Sequence, residues 1–282
     1  MTVHSTNTTS WQLGDHTVNR LGYGAMRLPM HPGGTPRDPE QSTALLRTAV
    51  ELGVNHIDTA AFYASPTSKA NDLIRRALRP YPADLVIATK VGPNADLSGE
   101  AGPDELREQV EQNLRELGRD HLDLVYLRIG EHLDRGRGTL ADRFAVLAQL
   151  RQEGLIRHLG ISNVGAAHLA EAQDIAPVVS VQNWYGLAKR DDDVLLDLCA
   201  EQDIAFVPFF SVHGGAPTGT VADVAAVHGA TPAQILVAWT LHRAPNVLAI
   251  PGTGDPEHLR QNVAAAEIQL SAGELDKLNS IE

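Results

Sequence analysis

Residues 121–130 read HLDLVYLRIG, and the apolar run from Leu122 to Leu127 reads as a buried strand. Its outer end carries Arg128. A guanidinium stays charged at any relevant pH and is costly to bury unpaired. The cation must therefore be aimed at something, and the neighbouring strand ends decide what.

Similar short apolar runs recur at 21–25, 54–57, 85–89, 156–161, 178–181, 204–208 and 246–250. Helical stretches separate them, at 40–52, 67–79, 103–117, 139–153, 165–174, 191–202 and 220–243, with 256–266 after the last run. The punctuation agrees with this reading. Pro103-Asp104-Glu105 puts proline and acids in a first helical turn, and Gly118, Gly154 and Gly53 each close a helix. Ahead of the series, residues 11–20 (WQLGDHTVNR) predict a hairpin turning at Gly14-Asp15, a structural cap on one end of the domain. Eight strands alternating with helices, and no break in composition, predict one domain over 1–282. Its fold is a (β/α)8 TIM barrel with an N-terminal β-hairpin cap, and residues 1–10 form a disordered tail. The competing architecture is a doubly wound open sheet. GYGAMR after the first strand lacks the third glycine of a dinucleotide fingerprint, which leaves that alternative little support.

Composition narrows the function. The chain has 282 residues, 43% hydrophobic and 21% charged, as in ordinary soluble proteins. A formal charge of −12 argues against nucleic acid or an anionic membrane as the main partner. The one cysteine, Cys199, permits no intramolecular disulfide and fits a reducing cytoplasm. MTVHSTNTTS has no apolar core and does not read as a secretory signal. Twelve histidines are scattered without an HExxH pattern or a Cys/His cluster, so no metal site is expected.

In a barrel of this kind chemistry gathers at the C-terminal ends of the strands. There the sequence sets Asp58, Lys90 and Arg128 on three successive strands, with Tyr63 five residues beyond Asp58. Each has a bland reading as a cap, a solvated cation or loop packing. Converging on one mouth, they make a proton donor. An ammonium at Lys90 would lower the pKa of the Tyr63 phenol from about 10. Asp58 would hold Lys90, and Arg128 would donate to the oxygen where negative charge develops. Across the mouth, Ser162, Asn163 and Gln182 offer groups for a carboxamide, and Phe209 a face for a flat heterocycle. PGTGDPEHLRQN (251–262) combines a flexible turn with a helix N-terminus, a setting for an anion. Together these features point to a nicotinamide dinucleotide and a small carbonyl substrate.

The motifs HIDTAAFY, ATKVG, GISNV, VQNWY and IPGTGDPEHLRQN, in this order, resemble the aldo-keto reductases over nearly the whole chain. The resemblance implies a (β/α)8 barrel that binds NADPH without a Rossmann fold and reduces aldehydes and ketones. It places Asp58, Tyr63 and Lys90 on three members of a catalytic tetrad, and Arg128 where the fourth is usually histidine. It places Gly24, Met26, Asp58, Ser162, Asn163, Gln182, Phe209, Phe210, Ser211, Gly252, Thr253, Gly254, His258, Gln261 and Asn262 at the cofactor. Gly252 and His258 stand where the family usually has lysine and arginine. NRLGYGAM, LDLVYLR and FVPFF resemble a bacterial pyridoxal-reducing subgroup, which implies a pyridoxal-like aromatic aldehyde. A monomer or weak homo-oligomer in the cytoplasm is expected. The alternative is a cofactor-binding sensor whose catalysis is weakened by Arg128.

Overall fold

The computed structural model describes residues 9–94, 99–130, 133, 135–212 and 219–281. It begins with β1 (Ser10–Leu13) and β2 (His16–Asn19), paired antiparallel with Leu13 opposite His16. The Gly14-Asp15 turn joins them, and Gly14 takes the left-handed conformation (φ 63°) open to glycine without strain. There follow β3 (Tyr23–Gly24), α1 (Pro39–Glu51), β4 (His56–Asp58), α2 (Ala70–Leu78), β5 (Val86–Val91) and α3 (Pro103–Leu117). Next come β6 (Leu122–Arg128), α4 (Ala141–Gln152), β7 (Ile156–Ser162), α5 (Ala166–Gln173), β8 (Val178–Trp184) and α6 (Asp193–Glu201). β9 (Ala205–Phe209), α7 (Gly219–His228), α8 (Pro232–His242), α9 (Pro256–Ala264) and α10 (Ala272–Asn279) complete the chain.

Strands β3 to β9 form one parallel sheet in sequence order. The eighth run, 246–250, closes it through single parallel bridges from Val247 to Phe206 and from Ala249 to Leu21. Leu248 N donates to Phe206 O at 2.9 Å, and Gly22 N to Ala249 O at 2.8 Å. The (β/α)8 barrel expected from the sequence is therefore the fold. The first and eighth runs are shorter ladders than their apolar lengths suggest.

Two helical expectations need correction. The stretch 220–243 is two helices meeting at 90°. Gly229 adopts φ 59°, and Thr231 opens α8 with a capping box to Gln234 and proline in the first turn, so the chain stops and restarts. A further helix, α10, follows the last expected one and is opened by the reciprocal Ser271–Glu274 box. No single helix among the described residues is long and apolar enough to cross a membrane.

Strand alternation sorts the interior. Ile57, Ile87, Val125, Ile161 and Val181 pack outward beneath the helices. Val86, Ala88, Leu124, Tyr126, Val207 and Leu248 fill the barrel, and Leu13 and Val18 of the hairpin pack against that cluster, whose first members lie at the strand starts. The hairpin is thus the cap the sequence suggests. The same inward alternation, carried two residues further along each strand, reaches Asp58 from His56, Lys90 from Ala88, Arg128 from Tyr126 and Gln182 from Ser180. Polar and charged groups thereby form the layer above an apolar plug.

Candidate active site

A cavity of about 400 Å3 opens above that plug, and Asp58, Tyr63, Lys90, Arg128 and Gln182 all line it. Its floor is ionic. Lys90 Nζ donates to Asp58 Oδ1 at 2.8 Å, to Asp58 Oδ2 at 2.6 Å and to Thr59 O at 3.1 Å. Both side chains are almost wholly buried. Burial alone would lower the Lys90 pKa, but the Asp58 carboxylate and Tyr63 outweigh it and hold the value above its usual range.

Tyr63 is placed by the loop after β4. Its backbone N–H donates to Ala60 O at 3.0 Å and its carbonyl accepts from Ala70 N at 2.9 Å. A buried network steadies that loop: Thr59 Oγ1 donates to Asn71 Oδ1, and Asn71 donates to Asn113 and Glu116 on α3. The Tyr63 ring centroid lies 5.0 Å from Lys90 Nζ. One sequence expectation changes here. Burial raises the phenol above its ordinary value of 10.0, while Lys90 and Arg128 only oppose that rise and Asp58 adds to it. Desolvation wins because the ring is packed against the apolar core at the base of the cavity. Tyr63 is accordingly a neutral phenol across the physiological range, with its proton in place.

Arg128 answers the question posed by its strand. Its Nη1 donates to Ser162 Oγ at 3.3 Å, and the guanidinium lies 5.2 Å from the centroid of the Phe209 ring. Burial lowers its pKa while Tyr63 and Asp58 oppose the fall. Glu131, an acid three positions after Arg128 in the sequence, lies outside the described residues.

Of the remaining predicted residues, Gly24, Met26, Phe209, Phe210, Ser211 and Gly252 line the same cavity. Gln182 donates from Nε2 to Asp58 Oδ1 at 2.7 Å, and its buried Oε1 meets no donor among the described residues. An orphaned buried acceptor is costly unless a ligand supplies the donor, and a primary carboxamide would. Ser162 and Asn163 stand behind the lining. Asn163, at φ 67°, donates from Nδ2 to Ile129 O at 3.0 Å and so ties two loops together. Phe210 also takes a positive φ, 57°, unusual for a bulky residue, and is wedged edge-on between Trp184 and Phe209.

Thr253, Gly254, His258, Gln261 and Asn262 lie further out, on the segment leading into α9. The expectation of a free helix N-terminus there is not met: Asp255 caps α9 by accepting from Glu257 N at 2.7 Å and His258 N at 3.2 Å. Two first-turn N–H groups of α9 are thereby already bonded within the chain. Arg37 is the nearby cation that sequence reading missed. It donates from Nη1 to Gly254 O at 3.1 Å and from Nε to Arg27 O at 3.3 Å, and a β-carbon at Gly254 would collide with its guanidinium. The stretch 29–39 forms a small hydrogen-bonded hairpin, with Met30 bridged to Pro36, latched by that arginine. Parts of the loops 129–138 and 211–219, which border the cavity, lie outside the described residues.

The aromatic side chains near these motifs divide between the cavity and the core. Phe62 lines the cavity, but Tyr185 is buried against Trp239, and Trp11 sits on the hairpin at the other end of the barrel. Arg27, Met30, Pro93, Leu133 and Val212 supply lining that the motifs did not mark. They are loop residues, and only the closed fold shows which of them face inward.

The comparisons with known proteins agree with this geometry. The model of the aldo/keto reductase family matches residues 20–224 and 217–282. The pyridoxine 4-dehydrogenase of Escherichia coli (strain K12) is 46% identical, over 98% of this chain and 99% of that protein. An uncharacterized oxidoreductase of Schizosaccharomyces pombe is 39% identical, over 95% of this chain and 88% of its own length. Among solved structures, a thermostable aldo-keto reductase in complex with the inhibitor epalrestat superposes with a TM-score of 0.82 at 31% identity, covering 97% of this chain and 99% of that one. An aldo-keto reductase from Klebsiella pneumoniae in complex with NADPH gives 0.81 at 28%, covering 96% and 94%. With the ionic floor, the buried phenol and the closed barrel already established, these matches make the chain an oxidoreductase of the aldo/keto reductase family.

Proposed function

We propose that this protein reduces an aromatic aldehyde of the pyridoxal type to the alcohol, with NADPH as reductant and Tyr63 as the proton donor. The observation that carries the proposal is the Lys90–Asp58 pair buried beneath the Tyr63 ring at the floor of the cavity. A buried ion pair is poor value for stability alone, which argues that this one is kept for chemistry.

When bound, NADPH supplies a hydride to the carbonyl carbon. Gln182 Oε1 is the acceptor for the carboxamide, and its bond to Asp58 fixes which face of its amide is presented. Phe209 offers a ring beside that position. Near the outer segment Arg37 supplies positive charge and His258 an imidazole. Tyr63 holds its proton because burial keeps the phenol neutral, and delivers it to the oxygen as negative charge develops there. Lys90 stabilises the phenolate left behind, and Asp58 keeps Lys90 charged and in place. Arg128, held by Ser162, donates to the same oxygen.

A fixed cation in place of a neutral ring favours a substrate that brings its own negative charge. A hydroxypyridine aldehyde does so through its phenolate. The 46%-identical relative is named for oxidation of pyridoxine, the alcohol related to this aldehyde. The test is NADPH consumption over a panel of aromatic aldehydes that includes pyridoxal, with NADH in parallel. Turnover of pyridoxal with NADPH well above that of benzaldehyde is expected. No turnover of any aldehyde, with NADPH still bound, would leave the cofactor-binding sensor as the better reading.

A further inference from the structure

At the opposite end of the barrel from the cavity, two adjacent side chains of the hairpin meet a third from a distant part of the chain. Asp15 Oδ1 lies 2.5 Å from His158 Nε2 and 3.4 Å from His16 Nε2. The two imidazoles stand edge to face, with centroids 6.1 Å apart. His16 belongs to β2 and His158 to β7, so the cluster joins the cap to the barrel wall. The turn is shaped for this approach: a β-carbon at Gly14 would lie about 2.5 Å from the His158 ring.

Two further donors approach the same ring nitrogens at longer range. The Arg157 guanidinium, which can only donate, lies 3.5 Å from His16 Nε2. The Asp15 backbone N–H, also a donor, points at His158 Nε2 from 3.4 Å. His158 Nε2 donates its proton to Asp15 Oδ1, and His16 Nε2 faces the same oxygen, so the three potential ligand atoms converge on one partly solvated point, where an entering ion displaces that proton. Two imidazoles and a carboxylate with an open fourth position form a donor set that zinc takes readily.

We propose that Asp15, His16 and His158 bind a divalent transition-metal ion of the zinc class, and that the ion staples the hairpin cap to β7. Bonds of about 2.0–2.1 Å in tetrahedral geometry set ligand atoms about 3.3 Å apart. The Asp15–His16 separation of 3.4 Å already satisfies this. The Asp15–His158 contact must open by under about 1 Å, which the exposed turn at Asp15 permits. Arg157, exposed, turns outward as the ion enters. The site is separate from the reductase cavity, so its occupancy alters stability rather than the chemistry proposed above.

The test is calorimetric titration of the whole, chelator-treated protein with zinc chloride, alongside thermal unfolding with and without zinc. One ion per chain, bound in the micromolar range, and a zinc-dependent rise in Tm of a few degrees are expected. His16→Gln and His158→Gln should each weaken binding at least about tenfold, while His31→Gln, on the 29–39 hairpin beside the cavity, should not. His16 is on the rim of the cluster and its replacement leaves the buried core intact, so that variant serves if His158→Gln fails to fold. Cobalt(II) should give the visible absorption of a tetrahedral site, lost in His16→Gln. Absence of saturable binding overturns the proposal, as does binding that survives the His16 substitution.

Discussion

Gln182 gives its amide N–H to Asp58 at 2.7 Å and leaves its own buried carbonyl oxygen without a donor among the described residues. One contact fixes the orientation of the amide and the other defines what it waits for. Gln182→Met keeps the volume but removes both. Its Kd for NADPH, read by fluorescence quenching, should rise about tenfold, the value of one buried hydrogen bond. An unchanged Kd would mean that the oxygen does not meet the carboxamide.

Lys90 and Asp58 stand or fall together. Lys90→Met leaves a desolvated carboxylate and should cost about 3–5 kcal/mol in urea unfolding. Combining it with Asp58→Asn removes both charges and should recover most of the loss. Additive losses in the double variant would show that the pair does not act as a unit.

His56 lies two residues before Asp58 on β4, fully buried, with neither ring nitrogen hydrogen-bonded among the described residues. Burial depresses its pKa from 6.5 to about 4, with Asp58 opposing and Lys90 assisting. The unfolded chain therefore binds this proton more readily than the folded one. The stabilising contribution is complete above pH 6.5 and is lost as pH falls toward 4. Between about pH 7 and pH 5 the protein should lose about 2 kcal/mol that His56→Leu does not lose, measured by urea unfolding at both values. Equal losses would place the titrating group elsewhere.

Arg128 is held by Ser162 and faces the cavity. If it steadies developing charge, Arg128→Met lowers kcat and kcat/KM together by about 10²–10³-fold. A rise in KM at constant kcat would make it a substrate clamp.

The barrel is legible in the sequence because its signals are local. Buried strands, Gly118 at a helix end and Pro103 at a start are each read over a few residues. The charged layer is legible for the same reason: Asp58, Lys90 and Arg128 each sit at the outer end of an apolar run, and alternation sends them inward. The break at Thr231 is equally local, since its capping box with Gln234 is written in the sequence, but it hides inside a continuous apolar stretch. Other features depend on distance. Arg37 reaches Gly254 across 217 positions, and His158 reaches Asp15 across 143. The direction of the Tyr63 pKa is of this second kind. A neighbouring ammonium can be read from spacing, whereas the depth of burial that outweighs it is a property of the closed fold.

The central claim rests on one hydroxyl, and Tyr63→Phe removes it with little change in packing. The variant should bind NADPH as the parent does while pyridoxal reduction falls about 10²–10⁴-fold in kcat. Parental turnover in that variant would show that the proton comes from another group.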